Sequence, residues 1–284
     1  MTARRSEAGW LAWTAPALLV LGALSIYPLL FAVEISLRTA GGYGLDHFRR
    51  LAADRLFLVS LGQTLLYTAA ALALEFALGL ALALLVNREF RLRRLVRAVL
   101  LIPMLLPPVV VAVLWRLILN PEFGVLNGTL RGWGLETRGL TWVAAENTAL
   151  LSVILVDVWQ WTPFLFLLLL AGLQGLPVEP FEAAVVDGAS RWQVFRRLTL
   201  PMLRPVIAIA VLLRGMDLLR VFDQIFILTQ GGPGFATETV TLYIYRTAFR
   251  FHNFGYAAAM SFVLLAATTT VARAFLRLLR QQPA

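Results

Sequence analysis

Two apolar stretches of the chain carry polar and aromatic side chains in narrow helical sectors. At 100° per residue, Asp157, Gln160, Trp161 and Phe164 share one sector. Hydrogen-bonding groups beside aromatic faces suit a hydroxyl-rich ring, whose hydroxyls need polar partners and whose C–H face needs an apolar plane. An aromatic stripe packed against a neighbouring helix is the plainer alternative. In the second stretch Arg214, Asp217, Leu218, Val221 and Gln224 occupy about a third of the circumference. Arg214, Asp217, Arg220 and Asp223 also step by three, which lets each arginine lie beside a carboxylate. Asp223 points to the opposite side, and a structural charge ladder is the alternative for Arg220 and Asp223. Thr64, Thr68 and Glu75 share a face of a third stretch, where Glu75 would line the same cavity or bridge to another helix.

Covalent chemistry has few candidates. The 284 residues include no cysteine and no lysine, and the only histidines are His47 and His252. Thiol nucleophiles, disulfides, thiolate metal sites, a Schiff base and a P-loop lysine are therefore excluded, and no metal or cofactor is expected. All 25 basic residues are arginine, and the net charge is +9. Such a charge would ordinarily suggest nucleic acid. However, 60% of the residues are apolar and 14% charged, against ~45–50% and ~25% in a soluble domain. The bilayer is the better partner, and none is expected among nucleic acids.

The elements that must carry these side chains are membrane spans. About 20 apolar residues in a helix cross a hydrocarbon core. Six such runs occur, at about 10–33, 60–86, 98–119, 148–172, 205–228 and 255–278, with no intervening stretch long enough for a soluble domain. The reading is all-α: a polytopic membrane protein with six transmembrane helices and one domain over 1–284. The first run is too long for a secretory signal and is read as an uncleaved helix. Pro103, Pro107 and Pro108 should kink the third helix beside a protein-lined pathway. With both termini in the cytoplasm, inner segments hold 14 arginines and outer segments 8, including Arg138. Arginine is enriched on the cytoplasmic side, which favours this orientation.

One inner segment, about 173–204, has a pattern of its own. Glu182–Val186 reads as a short helix, and Gly188 as a left-handed or flexible turn. A second amphipathic stretch follows with Trp192, Phe195 and Leu198, and Pro201 is expected to stop it before the fifth span. A helix pair lying on the bilayer is the simple alternative. The spacing of Glu182, Ala183, Ala184, Asp187 and Gly188, with Leu200-Pro201 and Arg204-Pro205 downstream, resembles the coupling loop of ABC-transporter permeases. Within them it is similar to the binding-protein-dependent sugar permeases of maltose type, first-subunit-like. Thr229-Gln230-Gly231-Gly232-Pro233-Gly234, Thr237-Glu238-Thr239, Tyr243-Ile244-Tyr245 and Gly255-Tyr256-Ala257 extend the likeness across spans two to six.

That resemblance implies the permease core of a type I ABC importer in a bacterial inner membrane. Its partners would be a second permease subunit, two cytoplasmic ATPase subunits and an extracytoplasmic solute-binding protein, with a sugar, oligosaccharide or polyol as solute. Glu182, Ala183, Ala184, Asp187 and Gly188 would dock on an ATPase, and this chain would hydrolyse no ATP itself. Gln160, Trp161, Phe164, Arg214, Asp217, Leu218 and Val221 match the solute-contacting positions, with Glu75 and Asp157 as further pathway candidates. Arginine and aspartate stand where the maltose permease has small polar or aromatic residues, so maltose itself is not implied. A phosphorylated polyol read by Arg214 and Arg220 is one alternative. An ion-coupled secondary transporter using Glu75, Asp157 and Asp217 is another, although no inverted repeat accompanies it.

Overall fold

The computed structural model describes residues 3–39, 41–137 and 139–280; Arg138 lies outside the described residues. In chain order the elements are α1 (Ala3–Leu37), a hairpin of β1 (Arg38–Thr39) and β2 (Gly42–Tyr43), α2 (Asp46–Ala53), α3 (Arg55–Val86), α4 (Arg93–Leu105), α5 (Pro108–Ile118), α6 (Val125–Gly132), α7 (Glu146–Gln174), α8 (Glu179–Val186) and α9 (Arg191–Val194). One wide π-turn, Phe195–Thr199, joins α9 to α10 (Leu200–Leu218). Then come α11 (Asp223–Leu228), α12 (Val240–Tyr245), a second π-turn at Arg246–Arg250, and α13 (Phe254–Arg280). Two compact units divide the chain, 1–54 with 244–265 and 55–243 with 266–284.

In the first unit the apolar residues of Trp13–Leu37 are unburied, a surface suited to lipid or to another subunit. The β1–β2 hairpin pairs Arg38 with Tyr43 and Thr39 with Gly42. Helix α2 buries Leu51, and beyond it Asp54 accepts a hydrogen bond from the Tyr256 hydroxyl at 2.5 Å. The Arg50 guanidinium sits 4.7 Å from the centre of the Tyr256 ring.

The second unit is built around α7, the most buried of the long helices. A core of Ala83, Val86, Phe166, Leu169, Leu170, Leu173 and Leu203 joins α3, α7 and α10. Gly79 and Gly172 let these helices approach closely: a Cβ at Gly79 would lie 3.0 Å from Leu165 on α7, and one at Gly172 2.9 Å from Val206 on α10. Among the described residues five helices, Trp13–Leu37, Arg55–Val86, Glu146–Gln174, Arg191–Leu218 and Phe254–Phe275, are long and apolar enough to cross a bilayer. The pair α4 and α5, which meet at 95°, is long and apolar enough to make a sixth when the two are counted together as one broken span.

The expected kink in span three is thus a break. Leu106 precedes a proline and is held extended at ψ 137°, while Pro107 and Pro108 bring no N–H to the ladder. Pro108 then starts α5 at a helix position that needs no donor.

Span five differs from its expected bounds of 205–228 at both ends. Pro201 does not stop the preceding helix, because the π-turn just before it opens the space its ring needs, and the helix runs from Arg191 to Leu218. At the other end the chain leaves the helix after Leu218 with no glycine or proline at the break. The N–H of Arg220 reaches the Asp217 carbonyl at 3.0 Å and that of Val221 the Leu218 carbonyl at 3.2 Å, a tightened last turn. Carbonyls within the break and near the end of α11 find tertiary partners instead. The Thr241 hydroxyl donates to the Val221 carbonyl at 2.5 Å, and Arg116 on α5 donates to the Ile227 carbonyl at 3.2 Å. Non-helical backbone at membrane depth is tolerated where protein satisfies it in this way.

Candidate functional site

Arg214 is the hub of the second unit. It is buried on α10, and its guanidinium meets carboxylates from three helices. Nε donates to Glu75 Oε2 on α3 at 2.7 Å and Nη2 to Glu75 Oε1 at 2.9 Å, a bidentate pair. Nη2 also donates to Asp157 Oδ2 on α7, and Nη1 to Asp217 Oδ2 one turn along α10, both at 2.5 Å. The guanidinium carbon lies 4.9 Å from the centre of the Trp161 ring. Glu75 and Asp157 are as buried as Arg214, whereas the Asp217 side chain is 55% exposed. A buried charge is tolerable only when paired and hydrogen-bonded, and this network meets that condition for Arg214.

A second polar chain runs beside it. The Tyr67 hydroxyl donates to Gln224 Oε1 at 3.5 Å, Gln224 Nε2 donates to Gln160 Oε1 at 2.7 Å, and Gln160 Nε2 donates to the Leu106 carbonyl at 2.9 Å. Leu106 is the residue at the break between α4 and α5. Gln160 therefore satisfies a carbonyl of the broken helix and ties that break to α11.

Between these networks lies a cavity of about 150 Å³ lined by Pro108, Asp157, Trp161, Arg214, Asp217, Leu218, Arg220, Val221, Phe222, Asp223 and Gln224. It gathers most of the residues named from the sequence and leaves others outside its lining. Asp157, Trp161, Arg214, Asp217, Leu218 and Val221 line it. Gln160 does not, because its amide is occupied by Leu106 and Gln224. Phe164 stands edge-on to Trp161, with centroids 6.5 Å apart, and backs that ring rather than the cavity. Glu75 takes the second of its two expected roles, bridging to Arg214 on α10, and is not part of the cavity lining. Asp223, expected on the far side of a continuous helix, reaches the cavity because the helix has ended and α11 starts afresh. Arg220 forms no ion pair with Asp223 among the described residues; its Nε donates to the Met216 carbonyl at 3.2 Å. Val221 and Gln224 likewise reach the cavity through the break and not through helical periodicity. Phe222 and Pro108 went unnamed as lining residues: both sit at helix breaks, and only the prolines of span three signalled one. Among the described residues no group of three or more histidine, aspartate or glutamate side chains is arranged to hold a metal ion.

At the other end of α7 the predicted elbow has a defined geometry. Helix α8 ends in a Schellman motif: Gly188, at φ +73°, donates to the Val185 carbonyl at 3.1 Å and Ala189 to the Ala184 carbonyl at 2.9 Å. The next helix starts two residues later with a capping box, in which Gln193 N donates to Ser190 Oγ at 3.3 Å and Ser190 N to Gln193 Oε1 at 2.7 Å. Both helix ends are therefore fixed within a few residues. Glu182, Ala183, Asp187 and Gly188 are exposed and Ala184 is half-buried. Val185, Val186 and Trp192 beside them are also exposed, at 73%, 87% and 66%.

The segment after α11 is closed on itself. The Thr229 and Thr237 hydroxyls are 2.7 Å apart, Thr237 Oγ1 donates to the Gly232 carbonyl at 2.9 Å, and Thr237 N to the Gly231 carbonyl at 3.1 Å. Gly231 has φ +85°, and a Cβ there would run into the Glu238 carboxylate.

In the second unit, broken and continuous apolar helices line a charged cavity and carry an exposed helical elbow, features suited to a membrane transport protein. The chain belongs to the family of binding-protein-dependent transport system inner membrane components, whose model matches residues 75–282. It is 39% identical over 234 residues to the trehalose/maltose transport system permease protein MalF of Thermococcus litoralis, covering 80% of this chain and 77% of that one. It is 34% identical over 272 residues to the trehalose transport system permease protein SugA of Mycobacterium tuberculosis, covering 93% and 86%. The fold matches, with a TM-score of 0.87 over 99% of both chains and 23% identity, a chain from the crystal structure of a bacterial ABC transporter involved in the import of the acidic polysaccharide alginate.

Proposed function

We propose that this chain is a permease subunit of an ATP-driven importer for an uncharged carbohydrate or polyol. The observation that carries the reading is the cavity between α7, α10 and α11. It sets the half-buried Trp161 among carboxylates, an arginine pair and a glutamine, a lining matched to a hydroxylated ring. The kinship with trehalose and maltose permeases supports the same class of solute. A phosphorylated polyol fits less well, because Arg214 is already engaged by three carboxylates.

In this reading residues 1–284 act as one permease domain with both termini in the cytoplasm. The chain pairs with a second permease subunit, takes solute from an extracytoplasmic binding protein and is driven by two ATPase subunits. Glu182, Ala183, Ala184, Asp187 and Gly188 form the face that meets an ATPase. The rigid Schellman turn and capping box at Gly188–Gln193 would carry a displacement of that face into the helix that begins at Arg191. Within this division of labour the chain hydrolyses no ATP.

Reconstitution of the assembled complex in proteoliposomes tests the reading. Uptake of a neutral sugar such as trehalose should require ATP and binding protein and should persist when an ionophore collapses ion gradients. Uptake driven by an imposed ion gradient without ATP would contradict it.

A further inference from the structure

We infer that Glu75, which lies outside the cavity, sets its charge selectivity by holding the guanidinium of Arg214, so that the site takes a single uncharged ring and rejects anionic sugars. The inference rests on the cavity being the solute site and adds to that reading which solutes it admits.

Size gives the first part. A cavity of about 150 Å³ is the volume that accommodates one benzene-sized ring. The cavity opens at the exposed Asp217 and Asp223, so a sugar ring, which is larger than benzene, would enter it by one face or edge, alone or as the end of a longer glycan.

Charge gives the second part. A guanidinium has five N–H donors. In Arg214, Nε–H and one Nη2–H go to Glu75, the other Nη2–H to Asp157, and one Nη1–H to Asp217. A single Nη1–H is left, and the Trp161 ring lies against the guanidinium. An incoming carboxylate or sulfonate would need two parallel donors for a strong fork and finds one. It would also meet Asp157, Asp217 and Asp223, with only Arg214 and Arg220 to offset them. Like charges brought together are disfavoured, most strongly beside the buried Asp157. A neutral ring suffers no such penalty: its hydroxyls donate to the exposed Asp217 and Asp223 carboxylates, and its apolar side faces the indole. Glu75 is decisive because it supplies two of the four contacts on Arg214 from a position that solute cannot reach. It is a positioning residue for specificity, and its removal should create a binding preference as well as weaken one.

The test uses the assembled complex in detergent and two probes that differ by one carboxylate, glucose and glucuronate, with ring binding followed by saturation-transfer NMR. In the unmodified complex glucuronate should bind about tenfold or more weaker than glucose, and Trp161→Ala should remove the glucose signal. Glu75→Gln keeps the side chain's shape, loosens the hold on the Arg214 guanidinium so that it can turn toward the cavity, and removes one negative charge. It should bring the two affinities together by gaining glucuronate, which a merely structural role would not produce. Should Glu75→Gln fail to assemble, Asp217→Asn on the exposed side of Arg214 must shift the ratio in the same direction. An assembled variant with an unchanged ratio overturns the inference. If the unmodified complex binds both rings equally and Trp161→Ala removes both, the solute site stands and the charge selection falls. Binding of neither ring, or binding indifferent to Trp161→Ala, overturns the solute site itself and the inference with it.

Discussion

Glu75 and Arg214, 139 residues apart in sequence, form a bidentate ion pair in which both side chains are almost wholly buried, at 2.7 and 2.9 Å. The pair joins α3 to α10, and through the second contact of Nη2 it includes Asp157 on α7. Three helices of the second unit are thereby fixed at one point, on which the position of Trp161 and Asp217 at the cavity depends.

Breaking this hub should be costly. Arg214→Leu leaves Glu75 and Asp157 buried without their counter-charge, at a cost of about 3–5 kcal/mol. The thermal midpoint of the detergent-solubilised complex should fall, and combining Glu75→Leu with Arg214→Leu should lose less than the sum of the two single changes. Additive losses would mean that the two side chains do not interact.

Gln160 separates a structural role from solute contact. Gln160→Leu leaves the Leu106 carbonyl and the Gln224 amide nitrogen without these partners, a cost of about 1–3 kcal/mol. The maximal uptake rate should fall, while the half-saturating solute concentration stays where it was, because Gln160 does not line the cavity. A large rise in half-saturation would place Gln160 in the solute site.

The spans were legible in the sequence because a hydrocarbon core demands long apolar runs, and the break at Pro107-Pro108 because prolines withhold donors. The limits of span five were not. A π-turn absorbs Pro201, and the chain leaves the helix after Leu218 through Leu219, Arg220, Val221 and Phe222, none of which is a helix breaker. Helical periodicity therefore placed Asp223 on the wrong side, though it grouped Asp157 with Trp161 and Arg214 with Asp217 correctly. That Glu75 would meet Arg214, or that Gln160 would cap Leu106, depends on tertiary packing and leaves no trace in local spacing.

The elbow after α8 gives a third expectation. Gly188 is left-handed, which costs an ordinary L-residue roughly 1–2 kcal/mol and a β-branched one more. Gly188→Val should abolish uptake while the permease remains inserted, and Glu182→Lys, an exposed charge reversal, should do the same by impairing co-purification of the ATPase subunit. Normal uptake by either variant would remove the elbow from the coupling route.

Orientation can be read directly. The proposed excess of cytoplasmic arginine places the end of α13 inside. An alkaline phosphatase fusion after Arg280 should be inactive and a fluorescent protein fusion at the same point bright. The reverse pattern would invert the topology.

Whether solute is held against Trp161 in the cavity of this chain can be read from uptake and ATP turnover measured side by side on reconstituted Trp161→Ala. Solute uptake should fall about tenfold or more, with basal ATP hydrolysis close to the unmodified rate, because an indole that holds solute takes no part in docking the ATPase. Unchanged uptake, or an equal loss of uptake and basal hydrolysis, would contradict a solute site at Trp161.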